Sequence, residues 1–259
     1  MAKKPVVVVG MGEMGSVFAR GLLRLGHPVY ALNRNDSMKK LAKALPDPGM
    51  VLVAVGENQL NAVLQNIPKA WRKRLALLQN ELLPADYRQF DNVTVISVWF
   101  EKKKGQDAKV IIPSPAQGPR AKLLAQALAT LDIPVKRIKQ KSDMLFELVV
   151  KNLYILTSNI AGLRTGGTVA ELWADHRPFA EVVANEVISL QEGLTGKQFD
   201  RQALIAAMVE AFEGDPKHRC MGRSAPARLQ RALQHAERLG IELPTLREIA
   251  AEQSPPGEA

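Results

Sequence analysis

The amino-acid sequence predicts an α/β fold, in which an N-terminal doubly wound sheet is followed by an all-helical C-terminal domain. Over the first 140 residues, continuous apolar runs typical of buried parallel strands alternate with helical patterns. From Ser142 onward the strand signal disappears and only helical periodicity remains. A glycine-rich turn also joins the first apolar run to the first helix. We therefore expect domains at residues 1–140 and 141–253, with a flexible tail at residues 254–259.

Strands and helices are predicted to alternate through the first domain. The apolar runs predict strands at residues 6–9, 28–32, 50–55, 75–78, 93–98, 109–112 and 135–138. The helical patterns predict one helix that ends at Gly26 and others at residues 37–45, 57–66 and 120–131. We expect Asp36 to cap the second helix and residues 102–105 to form a hairpin turn. The strands at 93–98 and 109–112 are expected to pair as an antiparallel extension of the sheet.

The second domain is predicted to contain only helices. A long, strongly apolar helix is expected at residues 142–163, with Ser142 as its N-cap. Further helices are expected at residues 177–193, 200–213, 224–239 and 244–252. The long apolar helix could contact a second subunit in a homodimer or be buried within its own domain, and both alternatives remain open.

Length and composition indicate a folded protein without a membrane-spanning segment. The chain has 259 residues, of which 46% are hydrophobic, and this is enough for a full core. No apolar run approaches about 18 residues, and the run at 6–9 is too short for a signal peptide. The single Cys220 excludes an internal disulfide, and the four histidines lack metal-ligand spacing. We expect a cytoplasmic protein that binds no metal and no membrane.

The charge of the chain indicates anionic partners. Its formal net charge is +9. The basic residues alternate with acidic ones and lack interleaved aromatic residues, so nucleic acid is only a weak alternative. A polyanionic cofactor together with a small acidic substrate explains part of the charge, and surface solubility explains the rest.

Three glycines follow the first strand at G-x-G-x-x-G spacing. Gly10 permits a tight turn, Gly12 lets the backbone approach a pyrophosphate, and Gly15 lets the helix lie close to the sheet. The N–H groups and the positive dipole end of the helix then face the phosphates. The motif alone is weak and could be a structural turn, but the flanking strand, helix and second strand supply the required context. We predict a Rossmann-type dinucleotide site.

The end of the second strand indicates which dinucleotide binds. An NAD site usually carries Asp or Glu there, whereas this chain has Asn33 and Arg34, with Ser37, Lys39 and Lys40 just beyond. A charge-assisted bond from arginine to a 2′-phosphate contributes about 1.5–3 kcal/mol, or about ten- to hundredfold in affinity. NADP is therefore the predicted cofactor, unless Arg34 is only a solvated loop residue.

Lys151 is the main candidate for acid–base chemistry. It lies in an apolar part of the long helix, and burial of a lysine disfavours its charged form and lowers its pKa towards a value useful for proton transfer. Four residues share its helix face at a period of 3.6: Ile155, Ser158, Asn159 and Gly162. Asn159 could bond a substrate carboxylate or hydroxyl. Alternatively, Lys151 reaches solvent or pairs with Glu147.

These motifs resemble known oxidoreductases. The segment 10–15, with the dipeptide 33–34, resembles the 6-phosphogluconate dehydrogenase superfamily, which includes the 3-hydroxyacid dehydrogenases. The segment 79–81 (Gln-Asn-Glu), the β-rich stretch at 93–112 and Lys151 resemble ketopantoate reductases within it. The resemblance implies that a hydride moves from NADPH to the ketone of a 2-keto acid while the lysine assists protonation of the oxygen. A ligand site in a cleft between the domains is then expected.

The resemblance also implies roles for individual residues. The pyrophosphate and 2′-phosphate would be held by Gly10, Met11, Gly12, Glu13, Met14, Gly15, Asn33 and Arg34. The loops beside the nicotinamide and its ribose would comprise Val55, Gly56, Gln59, Gln79 and Asn80. The substrate would meet Lys151, Asn159 and Ser158. Asn80 has an independent rationale, because an amide at the carboxyl end of a strand can bond ribose or carboxamide groups, although it could simply form a turn.

The sequence departs from the ketopantoate reductase pattern at several positions. Ile155 stands where an asparagine is usual, Gly56 replaces a lysine, and Glu81 replaces a glycine. The late Ser–Glu pair of that family has no clear match, since its glutamate falls near Ser224. Arg223 beside it could bind an acidic substrate or lie at the surface. A 3-hydroxyacid dehydrogenase-like enzyme and a non-catalytic NADP-binding redox sensor therefore remain alternatives.

Overall fold

The computed structural model of the chain describes residues 3–253, so the predicted flexible tail at 254–259 lies outside the described residues. The chain divides into two compact units, which we call the N-terminal unit (Met1–Leu148) and the C-terminal unit (Val149–Ala259). The division falls within the long helix that begins at Lys141, and not at its start.

A seven-stranded sheet forms the centre of the N-terminal unit. The nine strands described are β1 (Val6–Val9), β2 (Val29–Leu32), β3 (Met50–Val53), β4 (Leu75–Leu77), β5 (Thr94–Ile96), β6 (Phe100–Glu101), β7 (Lys109–Val110), β8 (Ser114–Gln117) and β9 (Val135–Arg137). The order in the main sheet is β2-β1-β3-β4-β5-β8-β9, and every neighbouring pair is parallel except β5 with β8. The predicted, mostly parallel α/β architecture is confirmed.

Helices cover both faces of this sheet. They are α1 (Glu13–Arg24), α2 (Met38–Ala44), α3 (Glu57–Gln65), α4 (Pro84–Tyr87) and α5 (Ala121–Ala129), with a 3₁₀ helix at Lys69–Arg74. Successive valines of β1 point to opposite faces, so Val6 and Val8 pack with α1 and α5 while Val7 and Val9 pack with α3. A strand buried on both faces needs a continuous apolar run, which explains the four consecutive valines.

The antiparallel part of the sheet differs from the prediction. β5 pairs with β8 at Ser114–Gln117, whereas Lys109–Val110 pairs with β6 in a separate two-stranded sheet. The hairpin turn predicted at residues 102–105 lies between β6 and β7. β8 was missed because it contains Pro115, which argues against an inner strand. The carbonyl of Pro115 nevertheless accepts a bond from the N–H of Ser97 at 2.9 Å.

Two predicted helix caps were wrong. The N-cap of α2 is Ser37, whose side chain accepts the N–H of Lys40. Asp36 instead accepts the backbone N–H of Asn33 at 2.6 Å, which closes the turn after β2. Ser142 lies inside the first turn of its helix, where its hydroxyl donates to Asp143.

In the part of the C-terminal unit that the structure describes, the regular elements are helices, and one isolated β-bridge joins Thr168 to Arg219. Its helices are the part of α6 (Lys141–Thr165) that starts at Val149, α7 (Val169–Asp175), α8 (Arg177–Thr195), α9 (Arg201–Gly214), α10 (Ala225–Leu239) and α11 (Pro244–Gln253). The sequence prediction missed α7, although Thr168 and Glu171 form a capping box at its start. The spacing of this threonine and glutamate could have revealed it.

Hydrogen bonds of buried and half-buried polar side chains connect the helices of this unit. Asn152 on α6 donates to Gln191 on α8 at 2.9 Å, and both side chains are buried. The carboxylate of Glu186 accepts the N–H groups of Thr245 and Leu246 at the start of α11. A carboxylate at a helix N-terminus is favourable there because it faces the positive end of the helix dipole.

Helix α6 is long and apolar enough to cross a membrane by length and composition, since its most apolar window has a mean hydropathy of 1.2. However, 78% of that window is buried inside the protein, which is typical of a core helix. From the sequence we expected no apolar stretch long enough to span a membrane, and that expectation overlooked α6.

Candidate functional site

The loops that follow β1, β3 and β4 meet at the carboxyl edge of the sheet. The N–H of Gly10 donates to Leu32 at 2.8 Å, and the N–H of Ala54 donates to Val9 at 2.7 Å. β1 lies between β2 and β3, and chain connections leave it in opposite directions. Such a topological switch point is the usual ligand-binding crevice of an open parallel sheet.

The three glycines after β1 differ in what a side chain would meet. Gly10 has a φ of +92°, a conformation that L side chains rarely adopt, and an added Cβ would lie 2.8 Å from the carbonyl oxygen of Ala54. A Cβ at Gly15 would overlap the carbonyl oxygen of Gly10. Gly12 has a φ of −73°, and its added Cβ would meet nothing within 4 Å. Two glycines are therefore required by the fold itself, whereas the third borders open space.

Helix α1 begins directly after this turn. Its N-cap is Gly12, which has no side chain that could accept a hydrogen bond from the first N–H groups of the helix. Glu13 points elsewhere, because its carboxylate lies 3.2 Å from the Nζ of Lys102. Met11 is exposed. The positive end of the helix dipole thus faces the turn.

A cavity of about 720 Å³ adjoins the turn within the N-terminal unit. It lies where β1 and β2 end and where α2 and α3 begin, and its lining residues are Val9, Gly10, Leu32, Asn33, Arg34, Asp36, Ser37, Met38, Lys39, Val55, Asn58, Gln59, Ala62, Val63 and Asn66. Two of these side chains, Arg34 and Lys39, are cationic. Asp36 is the one acid in the lining, and its carboxylate is already bonded to the backbone of Asn33. The cavity is therefore suited to an anion.

The loop after β3 supplies a second helix start at the same edge. Gly56 is the N-cap of α3 and makes no side-chain capping bond. The N–H of Gln59 donates to Gly56 at 3.0 Å, and Val55 and Gln59 line the cavity. The structure thus places Val55 and Gln59 in the same cavity lining as Gly10 and Arg34, and Gly56 lies between them in sequence at the start of α3.

Gln79 and Asn80 follow β4. Gln79 is buried, and its amide donates to the carbonyls of Val53 and Val55 at 2.8 and 3.2 Å. This side chain ties the ends of β3 and β4 together. The amide of Asn80 donates to Glu57 at 3.1 Å, so its bond reaches the start of α3 and is not confined to a local turn.

The backbone conformation at position 81 accounts for one departure from the ketopantoate reductase pattern. Glu81 has a φ of +59°, in the left-handed region that favours glycine. The ketopantoate reductase pattern that the sequence resembles has glycine there. The turn geometry is thus retained although the residue type has changed.

Lys151 lies in the buried part of α6, where it is 9% exposed, and its Nζ stands 5.5 Å from the centre of the Tyr154 ring. An ammonium over an aromatic face is stabilised by a cation–π interaction. Glu147, the alternative partner for Lys151, accepts a bond from Lys136 at 3.1 Å. Ile155, which replaces the usual asparagine, is buried.

Ser158 and Asn159 have different surroundings although they are adjacent. Ser158 is fully buried, and its hydroxyl donates to the carbonyl of Tyr154 one turn earlier at 2.7 Å. The Oδ1 of Asn159 accepts a bond from Arg228 on α10 at 2.9 Å, while its Nδ2 lies 3.5 Å from the hydroxyl of Ser158. The serine hydroxyl is used within the helix, and Asn159 is the polar group that connects to another element.

Sequence reasoning missed Arg228 and considered Arg223 instead. Arg223 is exposed in the loop before α10. Arg228 lies one turn into that helix and is partly buried. No local spacing could have linked it to Asn159, because the two residues are 69 positions apart.

Cys220 offers no nucleophile. The residue is buried, and burial together with the charge of Glu171 raises the pKa of its thiol to about 11. A thiolate would therefore be scarce near neutral pH.

No family model and no curated protein matches the chain by sequence. Solved structures do match it in fold. The 2-dehydropantoate 2-reductase from Methylococcus capsulatus superimposes with a TM-score of 0.69 at 13% identity, covering 96% of this chain and 95% of that one. The dimeric ketopantoate reductase from Staphylococcus aureus matches with a TM-score of 0.65 at 17% identity, covering 96% of each.

A third similar structure has a different substrate. The ternary complex of D-mandelate dehydrogenase with NADH and anilino(oxo)acetate matches with a TM-score of 0.66 at 14% identity, covering 95% of this chain and 96% of that one. The chain therefore has a ketopantoate reductase-like fold, and in this respect the resemblance inferred from its motifs is confirmed. The same fold carries different substrates, so the side chains of this chain must decide its specificity.

Proposed function

We propose that the protein is an NADP-dependent oxidoreductase that reduces a small 2-keto acid. The observation that carries this proposal is the cavity beside the glycine turn, which is lined by Arg34 just after β2 and by Lys39 in the first turn of α2. The solved structures of the same fold are 2-keto acid reductases and a dehydrogenase with NADH, which supports a nicotinamide cofactor. One of those proteins is dimeric, and a homodimer is part of the proposal.

The residues at the sheet edge fit a dinucleotide. The open side of Gly12 leaves room for a pyrophosphate against the backbone, and the N-terminus of α1 attracts its negative charge. The cavity provides amide side chains for an adenosine and the guanidinium of Arg34 for a 2′-phosphate. Because Asp36 already bonds a backbone N–H, it does not replace the acid that an NAD site offers to the ribose hydroxyls.

The chemistry divides between the cofactor and the chain. When bound, NADPH supplies the hydride that forms the new C–H bond at the keto carbon. Lys151 donates a proton from its Nζ to the keto oxygen, which gives a 2-hydroxy acid. Lys151 is 9% exposed, so its Nζ is shielded from most of the bulk water in which an exposed lysine would lie.

Asn80 and Asn159 have supporting roles in the proposal. Asn80 bonds the nicotinamide ribose or carboxamide, and Gln79 holds the strand ends on which it sits. Asn159 donates a hydrogen bond to the carboxylate of the substrate. Ser158 contributes by fixing the local helix geometry, because its hydroxyl already donates to Tyr154.

Cofactor titration and turnover test this proposal together. Calorimetry should show tighter binding of NADPH than of NADH, and NADPH should be oxidised with some members of a panel of 2-keto acids. Arg34→Gln should weaken NADPH binding by about ten- to hundredfold while leaving NADH binding unchanged. Arg20→Gln, on the exposed side of α1, is the matched control. Absence of binding heat with either coenzyme would refute the proposal.

Ile155 supports a second candidate, a non-catalytic NADP-binding redox sensor, because the buried isoleucine removes a polar group beside Lys151. NADPH binding without turnover of 2-keto acids, or of 3-hydroxy acids with NADP⁺, would favour the sensor. Turnover of 3-hydroxy acids alone would favour a 3-hydroxyacid dehydrogenase-like enzyme.

A further inference from the structure

One face of α3 borders the cavity beside the glycine turn. The residues of this face are Gln59, Ala62, Val63 and Asn66, of which the last is the C-cap of the helix. Their spacing of i, i+3, i+4 and i+7 places them in one stripe along the helix. The intervening Leu64 is buried in the core instead. The stripe therefore presents two apolar side chains to the cavity, with an amide at each end.

This stripe leads away from the glycine turn. The loop before α3 lies against the turn, since a Cβ added at Gly10 would stand 2.8 Å from the carbonyl oxygen of Ala54. Seven residues of a helix rise by about 10 Å, so Asn66 lies that much further from the start of α3 than Gln59 does. Asn66 is therefore the member of the stripe most distant, along the helix, from the turn.

The order of these residues matches the order of groups in a dinucleotide. The pyrophosphate is assigned to the turn, and the adenosine ribose and then the adenine base follow it in the molecule. The base would thus lie beside the middle and the far end of the stripe. There the apolar side chains of Ala62 and Val63 would cover a face of the ring, and Asn66 would meet its edge.

The amide of Asn66 is held in one orientation. Its Nδ2 donates to the carbonyl of Ala62, one turn earlier, at 2.8 Å. A carbonyl can only accept, so the atom that faces it is the nitrogen, and Oδ1 is the atom that a ligand would meet. Within residues 3–253, the side chains of the other amides in the lining make no such bond, and these are Asn33, Asn58 and Gln59.

A hydrogen-bond acceptor at this place distinguishes purine bases. Adenine carries an amino group at C6, which donates, whereas hypoxanthine and guanine carry an oxygen there, which accepts. The Oδ1 of Asn66 would bond the amino group of adenine but would face a second acceptor in the other two bases. Two acceptors that face each other form no bond, so the site favours adenine.

We propose that Asn66 selects the adenine base of the cofactor by accepting a hydrogen bond from its 6-amino group. This inference rests on the proposed function, because it assigns the base specificity of the same cofactor site. Asn66 is then a specificity-determining residue that contacts the cofactor, and it acts on a different group from Arg34.

Calorimetry with matched cofactors tests the inference. NADPH should bind about three- to tenfold more tightly than reduced nicotinamide hypoxanthine dinucleotide phosphate, its deaminated analogue. Asn66→Ala should abolish this preference by weakening the binding of NADPH alone. Asn61→Ala removes an exposed asparagine of α3 that lies outside the cavity lining, and it is the matched control.

The outcomes distinguish this inference from the proposed function. Equal affinities for the two cofactors, or a preference that Asn66→Ala retains, would overturn the role of Asn66 and leave the proposed function intact. If neither dinucleotide binds, the proposed function fails, and calorimetry with adenosine and inosine monophosphate still decides the inference. A preference for the adenosine nucleotide that is lost in Asn66→Ala and kept in Asn61→Ala supports it, and equal heat or no heat contradicts it.

Discussion

The glycine turn of the N-terminal unit and the polar face of α6 in the C-terminal unit depend on the sequence in different ways. In the turn, the residues that define the geometry are neighbours, since Gly10 and Gly15 contact each other directly. On α6, Asn152 and Asn159 are bonded to Gln191 and Arg228, which lie 39 and 69 positions away. A local motif specifies the first region, and tertiary packing specifies the second.

The physical reason lies in what each region must satisfy. The turn needs only a backbone conformation and a close approach, both of which glycine provides by lacking a Cβ. A buried amide needs a hydrogen-bond partner, and that partner can come from any element that packs there. Variants in the two regions should therefore fail in different ways.

Lys151→Met should have the largest effect. Methionine fills a similar volume at a buried position but cannot donate a proton, so we expect kcat to fall by about 10²–10⁴-fold. Cofactor affinity should be unchanged, because the cavity beside the glycine turn lies in the other unit. Single-turnover oxidation of NADPH measures this loss.

Lys141→Met is the control, since this lysine is exposed at the start of the same helix. A Lys151→Met variant that is folded and retains wild-type kcat would show that α6 has no acid–base role. The glycine turn and α6 would then differ only in how their residues pack, and not in a chemical role of Lys151.

Gly15→Ala should affect stability most. The new Cβ would overlap the carbonyl oxygen of Gly10, and backbone cannot move aside as a flexible side chain can. We expect the free energy of unfolding to fall by about 3 kcal/mol, the upper range for overpacking. Urea denaturation measures it, and an unchanged midpoint would show that α1 can move away from the turn at little cost.

Gly12→Ala separates ligand binding from folding at the same turn. Gly12 has an extended backbone that any residue adopts, and its Cβ would enter open space, so stability should change by no more than about 0.5 kcal/mol. The methyl group would occupy the space assigned to the pyrophosphate. We expect NADPH affinity to fall by about tenfold or more, equivalent to about 1.4 kcal/mol. Wild-type affinity in calorimetry would mean that the phosphates do not approach this glycine.

Much of the fold could be predicted from sequence because its signals are local. Four valines in β1 and the glycine turn indicated a buried parallel strand followed by a turn and a helix, and the structure contains all three. β8 was missed because Pro115 opposes strand formation locally, while pairing with β5 and β9 outweighs it. The long-range pairing that decides this strand is not visible in a local pattern.

In the candidate site, too, residues with a local sequence signal could be predicted and residues placed by long-range contacts could not. Arg34 was predicted as a site residue from its place after β2, and in the structure it lines a cavity together with Val55 and Gln59. The bond of Arg228 to Asn159 was not predicted, because the two residues are 69 positions apart and no local pattern links them. Gln79 was noticed only by resemblance, and its bonds to Val53 and Val55 show that it holds the sheet edge.

The smallest effect is expected at the capping box of α7, where a local motif exists within the C-terminal unit. The backbone N–H and hydroxyl of Thr168 bond Glu171 and hold the pKa of its carboxyl below the ordinary value of 4.5. Because the folded-state pKa is lowered, this contribution to stability is present above the unfolded-state pKa and is lost as pH falls through the folded-state value. Glu171→Gln should therefore be less stable than wild type near neutral pH, and the difference should shrink in acid. Urea denaturation between neutral and acidic pH measures this, with Glu213→Gln, an exposed carboxylate of α9, as the control. A difference that stays constant with pH would mean that the capping box acts through packing and not through charge.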